Sequence, residues 1–169
     1  TDVATASVAA TSRSSVSGSK AARVSLVVES LPDDLYDVGE TVRTHANAVR
    51  EVVLGLVQEE DALRDRYEAL VDGTLAEPDL STAAGELRRQ AEMVATTAHT
   101  TRDAITRDRG DAAKALAEAG DAAAELRAAM GDHVNEAAAR ADEAARGAAL
   151  IANMAGSIVE SRGRVIPKL

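Results

Sequence analysis

Every seventh residue from Leu116 is apolar: Leu116, Ala123, Met130, Ala137, Ala144, Ile151 and Ile158. A companion row runs through Ala119, Leu126 and His133 and then, shifted by one, through Ala141, Ala148 and Ala155. Residues three and four apart share one face of an α-helix, which turns once per about 3.6 residues. The pattern predicts one long helix over 111–161 with a seam made mostly of alanine. An alanine methyl removes little area from water, and burial is worth roughly 25 cal/mol per Å². Such a seam stabilises a fold only where helices lie close together.

Two more stretches carry the same period. Leu35, Val42, Val49, Leu56, Leu63 and Leu70 form one row, joined by Val38, Ala46, Val52, Val53 and Tyr67. Ser30, Pro32, Asp33 and Asp34 mark the start of this helix, by capping, a fixed φ and favourable charge at the positive end of the dipole. Gly73 suits its end, and Pro78 and Asp79 lie in a connection. A further helix starts near Asp79 or Ser81, with Leu80, Leu87 and Val94 in one row and Ala84, Ala91, Ala98 and Ile105 in the next. That row continues in register through Ala112, Ala119 and Leu126. One glycine costs a helix only about 1 kcal/mol, so two readings stand, a break or kink at Gly110 or an unbroken helix. The turn-like run Arg107 to Asp111 favours the break.

Thr1 to Ser19 is rich in serine, threonine and alanine and has no helical period, the composition of a flexible arm. Ala22 to Val28 alternates weakly. It reads as a pre-helical linker or an extra helical turn in preference to one short extended segment. The expected organisation is an extended arm and linker over 1–29, a helical bundle over 30–163 and a short basic tail over 164–169. The fold class is all-α: an elongated antiparallel bundle of three, or two very long, heptad-patterned helices behind an extended N-terminal arm.

With 169 residues the chain has room for one domain. Its net charge of −9 disfavours nucleic-acid binding, where lysine and arginine must neutralise phosphates, and disfavours anionic membrane surfaces. The absence of cysteine excludes disulfides and thiolate metal sites. The longest uncharged run, Gly147 to Val159, spans about 20 Å as a helix, against roughly 30 Å of hydrocarbon. No transmembrane span is expected, and no signal-peptide pattern stands at the start of the sequence.

Chemistry-bearing residues are sparse. His45 and His133 fall on inward seams, and His99 falls outside its stripe. Two inward histidines invite a pH-sensitive pair or part of a metal site, but a hydrogen-bonded seam histidine fits the same positions. Glu59, Glu60 and Asp61 form an acidic cluster with Arg64 and Arg66 nearby, which reads as a solvated, salt-bridged face. No nucleophile motif and no phosphate-binding glycine loop occurs. No catalytic, cofactor-binding or metal-binding residue is assigned, and an enzyme is not expected.

Ala144, Ala148, Ala152 and Gly156 are spaced by four and form a ridge of small residues that lets helices approach closely. Apolar residues surround it. Either the ridge is the centre of the bundle, or Ala144, Ala148, Ile151, Ala152, Gly156 and Ile158 contact another subunit. The expected role is structural or scaffolding, as a homo-oligomer or as a subunit of a larger assembly. A secreted helical-hairpin binding protein is the first alternative. Tyr36-Asp37-Val38-Gly39-Glu40 resembles, over five residues, the Tyr-x-x-x-Asp/Glu export signal of the small WXG-type secreted hairpins of actinobacteria. The chain lacks their Trp-x-Gly turn, and its motif opens a helix instead of following the hairpin. The second alternative is a coat on lipid or polymer granules; the small, acidic helix faces rank it last.

Overall fold

Leucine, valine and alanine at helical spacing, interrupted by Pro32, Pro78 and two glycines in the left-handed region, form five helices among the described residues. A computed structural model describes residues 12–161, with side chains from Lys20 onward. The helices are α1 (Ser12–Glu29), α2 (Tyr36–Asp72), α3 (Asp79–Arg107), α4 (Gly110–Ala119) and α5 (Ala124–Ser161). Short 3₁₀ turns at Asp33–Leu35 and Gly120–Ala123 lead into α2 and α5. No strand occurs among the described residues, so the all-α class holds.

The helices make two compact units. The first takes the described chain up to Leu54 together with Arg102–Arg140; the second takes Gly55–Thr101 and the described chain from Ala141. In the first unit Val24, Val27 and Val28 of α1 pack with Val42 and Ala46 of α2, Ala112 and Leu116 of α4, and Leu126, Met130 and Val134 of α5. Arg23 of α1 approaches Asp132 of α5 at 3.8 Å, and Lys20 acts on Glu136 one turn further along α5. The two helices are therefore antiparallel.

In the second unit Leu63 and Tyr67 of α2 pack with Leu80, Ala84, Leu87 and Ala91 of α3 and with Ala148, Ile151, Ala155 and Ile158 of α5. A smaller cluster joins Leu56, Ala98, Ala141, Ala144 and Ala145. The space beside Gly85 holds Val159, and that beside Gly156 holds Arg88. As α3 advances by three residues its contact on α5 retreats by three, so α3 and α5 run antiparallel. A short connection folds α2 back on α3, which makes them antiparallel as well.

The seven-residue row from Leu116 to Ile158 is buried throughout. Leu116, Ala123, Met130 and Ala137 lie in the first unit's interior and Ala144, Ile151 and Ile158 in the second's. The helix expected to run unbroken over 111–161 is nevertheless divided. Gly120 adopts φ 62°, a conformation that favours glycine, and the Arg127 guanidinium donates to the carbonyls of Leu116 and Gly120 at 2.9 Å each. A side chain from α5 thus satisfies the last carbonyls of α4. The break at Gly110 is present too, with φ 50° and the Gly110 N–H donating to Asp108 Oδ1 at 2.8 Å.

The extended arm expected over 1–29 is helical from Ser12 onward; its first eleven residues and the basic tail over 164–169 lie outside the described residues. The physical reason is the spacing of Ala21, Val24, Val27 and Val28, all buried, with Leu26 exposed. That is a helical stripe, not an alternation. Val52, placed above in the inner row of α2, is 48% exposed, because its neighbour Val53 takes the inward position. Adjacent helical residues point about 100° apart and do not share a face.

Two glycines of α2 predict opposite outcomes. A Cβ added at Gly55 meets nothing within 4 Å, so Gly55→Ala should raise stability by about 0.5–1 kcal/mol through backbone entropy alone. A Cβ at Gly39 would stand 2.9 Å from Val28 Cγ1 and 3.1 Å from Leu31 Cδ1. Here overpacking outweighs the propensity gain, and Gly39→Ala should lower stability by about 1 kcal/mol. Urea denaturation of both variants checks the pair.

Candidate functional site

The six residues singled out as contacts, Ala144, Ala148, Ile151, Ala152, Gly156 and Ile158, are all buried in the second unit. Ala148, Ile151, Ala152 and Ile158 pack on leucines and alanines of α2 and α3. Ala144 meets Leu56 and Ala98, and Gly156 lies under the aliphatic stem of Arg88. Of the two readings given for this ridge, the bundle centre is the one the chain's own helices fill. The uncharged run is not wrapped all round, since Leu150, Asn153 and Ser157 are exposed. The signal that separates these readings is the equally small lining of α3, whose Ala84, Ala91 and Ala98 are each fully buried.

The second unit carries an open apolar groove between α2 and α3. Glu59, Ala62, Leu63 and Arg66 line it from α2, and Gln90, Met93, Val94 and Thr97 from α3, around about 410 Å³. Met93 is 63% exposed. None of these eight was assigned a contact role from the sequence. Met93 lies between the two α3 rows in the heptad count, and only that offset marks it.

The acidic cluster divides in three dimensions. Glu59 is exposed and Asp61 half-buried, but Glu60 is buried. Its carboxylate accepts from Arg64 at 2.8 Å and lies over Gly147, where any Cβ would collide with it. Gly147 is thus the opening that admits a buried charge, and the charge is paired, as burial requires. The hydrogen bond that Arg64 donates to Glu60, helped by the nearby acids and opposed by burial, holds the Arg64 proton more firmly than usual.

In the first unit His133 has 0% exposure. Its Nε2 stands 2.9 Å from the carbonyl of Ala46. A carbonyl only accepts, so Nε2 carries the proton, and in the neutral ring Nδ1 is the bare nitrogen. Nδ1 has no partner. The two seam histidines therefore meet only indirectly: His133 bonds the backbone one residue past His45, and the His45 Nε2 is likewise buried and unpartnered. Burial pushes the His133 pKa down, the Ala46 bond opposes this, and the charges of His45 and Arg50 push it down further. Burial raises the Glu136 carboxyl against the pull of Lys20 and Arg140. Among the described residues no three His, Cys, Asp or Glu side chains converge to hold a metal ion.

The five-residue motif opens α2. Tyr36 is 66% exposed, and Glu40 accepts from Arg43 at 3.1 Å. Both line a surface depression with Val28, Leu31 and Pro32. Gly39 inside the motif is explained by the close approach of Val28.

The His133 environment predicts a pH-dependent stability. The unfolded ring binds a proton near pH 6.5 and the folded ring resists it, so stability is complete above that value and falls as pH is lowered through it. The slope approaches about 1.4 kcal/mol per pH unit until the folded ring is itself protonated. Glu136 acts with the opposite sign, because its folded form takes up a proton at a higher pH than its unfolded form; that offset begins above the ordinary carboxyl value of 4.5. Urea midpoints should fall between pH 7.5 and 5.5, and His133→Gln, which keeps a donor for Ala46 but does not titrate, should flatten the curve. The chain matches no known family model, no curated protein and no solved structure.

Proposed function

We propose that the chain is a non-enzymatic structural or scaffolding protein that acts by self-association or by docking into a larger assembly. The α2–α3 groove of the second unit carries this reading. An exposed methionine over a floor of Ala62, Leu63 and Val94 is a surface that gains by being covered. The thioether adapts to many packing partners, and a groove between two helices suits a third helix laid along it. Other stretches of the surface carry charged side chains that pair locally. Arg43 pairs with Glu40, Arg89 with Glu86 and Arg146 with Asp142, each along its own helix. Such exposed pairs keep a face solvated and contribute little to stability. Among the described residues no helix is long and apolar enough to cross a membrane.

Sedimentation equilibrium up to about millimolar concentration, the weak end of specific association, should show a dimer or larger species. Met93→Glu should weaken that association at least about tenfold while leaving helicity unchanged, since desolvating a new charge in the contact is unfavourable. A wild-type monomer across the range removes self-association. A Met93→Glu variant that associates normally moves the contact away from this groove.

A further inference from the structure

We infer that a second copy of this chain occupies the α2–α3 groove, laid antiparallel across it about a two-fold axis beside Ala62. This deepens the self-associating reading above and rests on it.

Glu59 and Arg66 both line the groove from α2. They are seven residues apart, about 10.5 Å along the helix, too far to pair with each other. Residues three or four away on the same helix are the natural partners of a charged side chain. For Glu59 these are Gly55, Leu56, Ala62 and Leu63; for Arg66 they are Ala62, Leu63, Ala69 and Leu70. All are uncharged. Elsewhere in this stretch Glu60 and Arg64, four residues apart, do pair with each other. The groove therefore presents one carboxylate and one guanidinium with no counter-charge supplied by their own helix.

A two-fold axis resolves both at once. In an isologous contact, residue i of one copy meets residue j of the other, and j meets i. Setting two α2 helices antiparallel with the axis midway between positions 59 and 66 places each Glu59 opposite the partner copy's Arg66. That midpoint falls between Ala62 and Leu63. Ala62 is exposed and small, so the backbones approach closely there, while Met93 closes the side of the groove and Gln90 and Thr97 supply uncharged polar groups at its edge. A parallel arrangement would set Glu59 on Glu59 and Arg66 on Arg66, which like-charge repulsion disfavours. Charge order thus selects the orientation, and the apolar floor supplies the burial.

Reversing charges one at a time and then together tests this. Glu59→Arg and Arg66→Glu each convert two attractive pairs into two repulsive ones, and each should raise the dimer dissociation constant by at least about tenfold. The double variant restores opposite charges across the axis and should return to within about threefold of wild type. Circular dichroism confirms that these exposed substitutions leave the helices intact. A wild-type dimer insensitive to both single reversals overturns the inference and leaves the self-associating reading standing. So does a double variant as weak as the singles, since it points to a partner surface of different charge order. A monomeric wild type removes both.

Discussion

Close approach between helix backbones is the constraint on which this structure depends. With no phenylalanine or tryptophan, the interior is built from alanine, valine and leucine. Dispersion between such groups falls away steeply with distance. The second unit meets this need by facing alanine with alanine, as Ala98 does with Ala141 and Ala144. Where a larger group must enter, the facing helix retreats to glycine. Gly147 admits the Glu60 carboxylate, Gly156 admits the stem of Arg88 and Gly39 admits Val28. Tyr67, the one buried aromatic side chain among the described residues, is surrounded by leucines, isoleucines and alanines of three helices.

How much of this was legible in the sequence follows from the same constraint. Periodicity reports which face of a helix is inward, and the rows through Leu116, Val42 and Ala84 are inward as their spacing implies. Periodicity does not report whether the helix is continuous. The row passes from Leu116 to Ala123 in phase although Gly120 interrupts the helix, because the 3₁₀ turn returns the chain to the same face. The bond pattern that stabilises the break comes from Arg127, a residue with no local signature of a cap. Composition misled at α1, where serine and threonine suggested an arm and the few valines were enough to hold a helix against α2.

The site was harder to read, and for a different reason. A ridge of small residues signals that something packs closely on it but carries no label for its partner. Ala148 and Gly156 look the same in sequence whether the covering helix belongs to the same chain or to another. The groove residues were less legible still. Met93 and Ala62 sit outside the inner rows, and their adjacency arises only when α3 folds back along α2. Glu60 shows the converse: an acid in an acidic cluster reads as solvated, and its burial depends on a glycine eighty-seven positions later.

The two buried polar groups make different demands on their surroundings. Glu60 keeps its charge because Arg64 and the opening at Gly147 accompany it inside. His133 avoids charge altogether by donating once and leaving its second nitrogen bare, an arrangement that holds only while the ring is neutral. The second ties the first unit's packing to proton concentration. A chain with a net charge of −9 faces a related problem at its surface, where two copies repel at long range. Apolar area alone then associates weakly, and orientation must come from short-range charge order. In the contact proposed for the groove, an acid and a base set on either side of a small residue would supply that order without adding net charge, so only modest apolar burial would be needed to select one geometry over its reverse.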